Sequence, residues 1–255
     1  MRKFFKIAMV AAGLTAAAAG SAHAAGEEIH YESQNWSWNG IFGHYDRAQL
    51  QRGLHIYREV CGNCHALSLV AFRNLEAIGL DEDSVRALAA EYQVVDGPND
   101  EGEMFEREGR PSDRFVKPFP NEQAARAANN GAYPPDLSLI TKARVNGPNY
   151  LYALMTGYQD EPEGVELMPG MNYNVAFPGH QIAMPPQLFD DMVSYADGTP
   201  ATVDQMARDI TAFLNWAAEP ELEQRKSLGV KVMLFLAVLT AMLYALKRRI
   251  WSDVH

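Results

Sequence analysis

Only two of the 255 residues are cysteine, and they stand three positions apart, at Cys61 and Cys64. A structural zinc site needs about four N or S ligands. No second cysteine pair exists, and His23, His30, His44, His55, His180 and His255 are scattered along the chain. A thioredoxin-like dithiol would want a βαβ setting, which the flanking sequence lacks. No period-2 strand pattern of any length appears, so a sheet protein is not expected. What stands at the cysteines is Cys61-Gly62-Asn63-Cys64-His65. Cys-x-x-Cys-His is the attachment motif of a c-type haem. Each thiol adds across one vinyl group, and the adjoining His65 is then held under the iron as an axial ligand. With both thiols spent there, the chain is expected to carry one covalently bound haem c and no disulfide.

Basic residues are scarce too. The chain has 32 acidic and 22 basic residues. Three of the basic ones precede residue 25, and six basic and one acidic residue fall from Arg225 onward. Residues 25–224 therefore carry 31 acidic against 13 basic residues, a net charge of −18. Acidic clusters lie at Asp81-Glu82-Asp83, from Asp96 to Glu108 and from Asp160 to Glu166. Such a surface repels nucleic acid and attracts basic proteins, with rates that fall as salt rises.

Long apolar runs occur only at the two ends. Arg2, Lys3 and Lys6 precede an apolar run from Ile7 to Gly20, and Ala22-His23-Ala24 follows as a small-x-small cleavage pattern. Residues 1–24 read as a secretory signal peptide, richer in apolar residues and poorer in Arg and Ser than a mitochondrial leader. Export suits haem attachment, which occurs in an oxidising compartment. The second run, Leu228 to Leu246, is 19 residues. At about 1.5 Å per residue it crosses a bilayer core. Arg225 and Lys226 precede it, Lys247-Arg248-Arg249 follow, and Lys231 can snorkel to the interface. The expected organisation is an exported haem domain at 25–224, a transmembrane anchor at 225–249 and a cytoplasmic tail at 250–255. The haem domain would then face the periplasm from a bacterial inner membrane.

Within 25–224, Arg47 to Val60 carries Leu50, Leu54, Tyr57 and Val60 at helical spacing and runs straight into the haem motif. Asp83 to Tyr92 reads as a helix started by Asp83 or Ser84, and Asn149 to Gly157 as a short helix. Gly97 to Pro120 and Pro162 to Pro186 read as loop, and Asn129 to Pro135 as a turn cluster. Thr202-Val203-Asp204-Gln205 reads as a capping box. It opens a helix to about Ala218, with Val203, Met206, Ile210, Phe213 and Leu214 on one face. The fold class is mainly α, a class I cytochrome c-like domain with long loops plus one C-terminal transmembrane helix.

The second axial position decides between electron transfer and ligand chemistry. Met104, Met168, Met171, His180 and Met184 are the loop candidates, whereas Met192 and Met206 read as core. Met184 is favoured because Pro185-Pro186 stiffen the backbone behind it, but spacing leaves His180 and Met168 open. An anchored electron shuttle standing alone, or a peroxidase or gas sensor with an open iron site, would share the motif.

Several segments together resemble the cytochrome c1 family, the anchored haem subunits of cytochrome bc1 complexes. They include Arg52 to Tyr57, Asp96 to Asn99, Gly102 to Phe105, Ala124 to Asp136, Leu154 to Tyr158, Phe177 to Gly179, Asp197 to Thr202 and Trp216 to Pro220. They span nearly the whole mature chain in order. The resemblance implies Met184 as the second axial ligand. It implies Arg144 and Tyr150 at a haem propionate, and Asn129, Pro134 and Pro135 in the loop packed on the haem. It also implies one-electron transfer from a Rieske iron–sulfur protein to a cytochrome c, soluble or anchored, with cytochrome b beside the anchor in a dimeric complex; the −18 charge adds that the cytochrome c partner is basic. The extra cysteine pair of some bacterial relatives is absent.

Overall fold

The computed structural model describes residues 29–253. The signal peptide read over 1–24 and the last two residues of the expected tail lie outside the described residues. Helix α1, Arg47–Glu59, is started by Asp46, whose carboxylate accepts from the Ala48 and Gln49 amides. It buries Leu50, Leu54, Ile56 and Tyr57 and passes at Val60 into a 3₁₀ turn, Cys61–Asn63. A second 3₁₀ segment, Phe72–Ile78, ends at Gly79 in the left-handed region, φ 96°. Helix α2 is Glu82–Ala90. Its cap is Asp81 rather than Asp83 or Ser84, because Asp81 accepts from the Ser84 amide at 2.8 Å and from its hydroxyl at 3.0 Å.

The segment read as loop after Gly97 contains a strand. β1, Gln93–Asp96, pairs antiparallel with β2, Phe105–Glu108, in the register Gln93↔Glu108 to Asp96↔Phe105. Four-residue strands with mostly exposed side chains leave little alternation to read. Cross-links between side chains hold this ribbon instead: Arg107 pairs with Asp96 and, at 2.6 Å, with Asp113. Helix α3, Glu122–Ala128, also escaped the periodicity because it is short and alanine-rich; Asn121 caps it through the Ala124 amide. Asn130 (φ 50°) and Gly131 (φ 86°) then form the expected turn. Helix α4, Gly147–Thr156, opens two residues earlier than the sequence suggested, with Pro148 in its first turn. β3, Asn172–Tyr173, and β4, Gln181–Ile182, form a second small ribbon.

Helix α5, Val203–Ala218, begins at Thr202, whose hydroxyl accepts from the Gln205 amide at 3.2 Å. Only this half of the capping box forms, since the Gln205 side chain donates forward to Asp209 at 2.8 Å. From Asp209 to Ala217 every residue is buried, on all faces and not on one. The reason is that α1 packs on α5 from one side and α4 from another. The closest approach is at Gly53 of α1, which lies on the Asp209 carbonyl and Phe213 of α5. Arg52 beside it pairs with the fully buried Asp209 at 2.9 Å and with Asp197 at 2.7 Å. Burial pushes the Asp209 carboxyl up, against the opposing pull of Arg52.

Helix α6, Leu222–Ile250, is 29 residues, about 44 Å at 1.5 Å per residue. Among the described residues it is the one helix long and apolar enough to cross a membrane. It runs unbroken through position 225, where the anchor was expected to begin. Its first turn belongs to the globular domain: Leu222 is buried, and Glu223 accepts from the Tyr45 amide at 2.7 Å and pairs with Arg47 at 2.6 Å. The result is a mainly helical haem-domain fold with little sheet and, among the described residues, a single long apolar helix, the class expected.

Candidate functional site

The haem motif sits where α1 tightens into its 3₁₀ turn. Cys64 and His65 both donate backbone hydrogen bonds to the Cys61 carbonyl, at 3.1 and 2.9 Å. This winding brings both thiols and the imidazole onto one short arc. Cys61 and Cys64 are half-buried and form no disulfide. Burial pushes the Cys61 thiol up to about 12, with Cys64 adding to the effect, so it is held neutral.

Two contacts fix His65, and three more bonds hold the loop that supplies one of them. Its Nδ1 donates to the Pro135 carbonyl at 2.8 Å, which leaves Nε2 as the ring's coordinating atom. Tyr57 donates its hydroxyl to the His65 carbonyl at 3.1 Å. The loop beyond Pro135 is stitched to the segment beyond His65: Leu137 N to Ala66 O at 2.8 Å, Ser68 N to Asp136 at 3.1 Å and Leu69 N to the Ser138 hydroxyl at 3.0 Å. Burial lowers the His65 pKa despite the Pro135 carbonyl and the Asp136 charge. Neutral imidazole is the ligating form. Asp136 itself is disfavoured as an anion by burial, yet the Ser138 and Ser68 donors hold its pKa below the usual carboxylate range.

A second group of residues forms around Met184. Tyr158 donates to the Met184 carbonyl at 2.9 Å, and Pro185-Pro186 follow. Met184 is half-buried against the core. Tyr158 lies near Tyr150, and Tyr150 near the Arg144 guanidinium. Burial raises the pKa of Tyr150 against the pull of Arg144, so it stays a neutral donor beside an exposed cation. The Tyr31 ring meets Tyr150 edge-on at 5.4 Å.

The predicted residues therefore divide into two sets. His65, Cys61, Cys64 and Pro135 are directly linked, and Pro134 adjoins them. Asn129 sits at the head of the same loop, where its side chain donates to the Ala125 carbonyl and closes α3. Tyr150 lies near Arg144 and near Tyr158, and only Tyr158 bonds to Met184. Tyr57 and Tyr158 were missed as positioning residues. Tyr57 reads as core from its helical spacing, and no local pattern marks Tyr158. Of the rival axial candidates, Met104 and Met168 are exposed, and the His180 Nδ1 faces the Asn174 carbonyl at 3.3 Å. Met206 is core as expected. Met192 is not: it lies outside any helix and is 40% exposed, because the Asp190–Gly198 segment forms turns before α5.

Two cysteines and an imidazole wound onto one turn, with the imidazole Nδ1 engaged, are residue types that suit haem c, and Met184 lies in a separate group followed by two prolines. The comparisons agree. The Cytochrome C1 family profile matches residues 36–254. The chain is 52% identical to cytochrome c1 of Rhodospirillum rubrum, over all of this chain and 99% of that protein. It is 50% identical to the mitochondrial cytochrome c1 haem protein of Saccharomyces cerevisiae, over 91% of this chain and 75% of that one. It is also 50% identical to a protein named cytochrome b/c1 from Bradyrhizobium diazoefficiens, over 86% of this chain and 35% of that protein. The chain belongs to the Cytochrome C1 family and carries a covalently attached haem c.

Proposed function

We propose that the chain is the haem subunit of a cytochrome bc1 complex, passing single electrons from a Rieske iron–sulfur protein to a basic cytochrome c. Bound haem c supplies the chemistry, cycling between ferric and ferrous iron. The protein's part is to hold that group rigidly and to set its surroundings. Cys61 and Cys64 anchor it covalently. His65, aimed by the Pro135 carbonyl, and Met184, whose backbone Tyr158 and the following prolines steady, would hold the iron. Arg144 and Tyr150 meet a propionate, a pairing that suits an anionic group in a −18 domain. Asn129 and Pro134 shape the loop beside it. Met/His ligation raises the potential, as an acceptor from an iron–sulfur protein requires.

The anchor, 225–249, crosses the bacterial inner membrane once beside cytochrome b, with 25–224 on the periplasmic side and 250–255 in the cytoplasm. The fused name of the cytochrome b/c1 relative supports cytochrome b as the neighbour. The complex is dimeric, as the family resemblance implies.

The observation that carries the reading is the clamped His65, its Nδ1 engaged and its Nε2 left for a metal. The test is Met184→Leu in the intact complex. Loss of the sulfur-ligand optical signature and a lowered haem potential are expected, with cytochrome b still co-purifying. An unchanged potential and spectrum would refute the ligand assignment. Recovery of the chain alone in mild detergent would refute the place in a complex.

A further inference from the structure

The segment before α1 forms a closed loop at the foot of the domain. The Asn39 amide donates to the Trp36 carbonyl at 3.0 Å and the His44 amide to the Ser37 carbonyl at 3.1 Å. Trp36 and Trp38 are buried and stacked, with centroids 4.9 Å apart. Gly43 has no room for a side chain, since a Cβ would run into the Trp38 and Asn39 backbone. The loop is fastened to the anchor helix: Lys226 of α6 donates to the Trp38 carbonyl and, at 3.3 Å, to the Gly43 carbonyl.

This rigid loop presents two large apolar side chains outward. Ile41 is 67% and Phe42 84% exposed. They line a groove of about 360 Å³ between the loop and α6, together with His44, Ser227, Val230 and Lys231. The groove is graded. Its polar wall comes from the first turns of α6, where Glu223, already paired with Arg47, stands beside Lys226 and Ser227, and its apolar wall faces Val230. Val230 is two residues into the Leu228–Leu246 run, about 3 Å beyond its start by helix rise. The loop tip therefore lies at the level where the apolar span begins, which is the headgroup–acyl boundary where amphipathic segments settle.

We propose that Ile41 and Phe42 insert into the outer surface of the bilayer and that the groove seats a phospholipid, its acyl region against Ile41, Phe42 and Val230. The phosphate lies toward Ser227 and His44, and Lys231 reaches it by snorkelling. Continuity with the membrane-crossing helix and the polar-to-apolar grading select lipid over a protein neighbour. The wedge gives the domain a second foothold beside α6 and fixes its tilt on the membrane. The inference rests on α6 spanning the bilayer.

The test places a spin label at Phe42→Cys, or at Ile41→Cys if the first variant does not assemble. The complete complex is then reconstituted in phospholipid nanodiscs, with Val95→Cys on the exposed ribbon as the aqueous reference. At position 42 oxygen collisions are expected to be severalfold more frequent than at 95, and collisions with a water-soluble nickel chelate severalfold rarer. Chelate access equal to that at 95 would overturn the wedge. So would exclusion of both reagents, which would mean a protein partner covers the loop. Carbonate extraction of the native membranes reports on the anchor separately. Release of the chain would refute the spanning helix and the wedge together, whereas retention with an aqueous label at 42 would refute the wedge alone.

Discussion

Gly53→Ala puts the α1–α5 crossing, and through it the placement of the haem turn, to a test of sign. Gly53 sits in the middle of α1, where glycine is disfavoured. With room available, alanine would stabilise the helix by about 0.5–1 kcal/mol. There is no room. An added Cβ would lie 2.5 Å from the Phe213 Cβ and nearer still to the Asp209 carbonyl oxygen. One of these is backbone and the other is the root of a fully buried side chain, so neither can rotate aside. The two helices must separate, and overpacking of this kind costs about 1–3 kcal/mol. Backbone against backbone belongs at the upper end, and the helix-propensity gain offsets part of it, for a net loss of about 2 kcal/mol. For a domain of this size each kcal/mol moves the melting midpoint by about 2–4 °C, so a fall of about 4–8 °C is expected. The assay is thermal unfolding of the purified holoprotein, followed by circular dichroism of the haem band and of the far ultraviolet together. An unchanged or raised midpoint would refute the close crossing.

Arg52→Ala strands the buried Asp209 carboxylate without its cation, and loss of about 3–5 kcal/mol is expected in the same melt; Asp209→Asn combined with it should recover part of that loss. Asp197 accepts from the Thr199 amide and from Arg52, and these donors hold its carboxyl down to about 2. A depressed carboxyl stabilises the fold above its ordinary value of about 3.9, and that stability is lost as pH falls from there towards 2. Wild type should therefore lose stability across this window more steeply than Asp197→Asn, as acid titration of the fold would show. Tyr158→Phe removes the donor to the Met184 carbonyl and should cost about 1 kcal/mol. It should also shift the haem potential slightly with the sulfur ligand retained; a potential identical to wild type would deny Tyr158 a positioning role. Reduction of a basic cytochrome c should slow as ionic strength rises, given the −18 domain, and a flat salt dependence would refute electrostatic docking.

Much of the chemistry was legible because it is local in sequence. A thiol pair at i and i+3 with a histidine beside it is a pattern that one turn of backbone makes into a site, whatever surrounds it. The anchor is similarly local, since a run of apolar residues long enough for a bilayer needs no partner to be read. The helices with caps and heptad-like apolar spacing, α1 and α5, were legible for the same reason. The β1–β2 ribbon and α3 were not: four mostly exposed residues per strand and a seven-residue alanine-rich helix carry almost no periodic signal, while Arg107 braces the ribbon to Asp113 and Asn121 caps α3.

The sequence by itself pointed to the cofactor, its covalent attachment and the long apolar C-terminal helix, because each is written in contiguous residues. The tertiary structure alone decided what holds these parts in place. Pro135 lies 70 positions from His65, yet its carbonyl fixes which imidazole nitrogen faces outward. Tyr158 steadies Met184 from 26 positions away. The burial of α5 on all faces from Asp209 to Ala217, and the fastening of the Ser37–His44 loop to α6 through Lys226, exist only once distant segments are packed. Hydrogen bonds and close packing act over a few ångströms of space and are blind to distance along the chain, so no reading of local pattern could have supplied them.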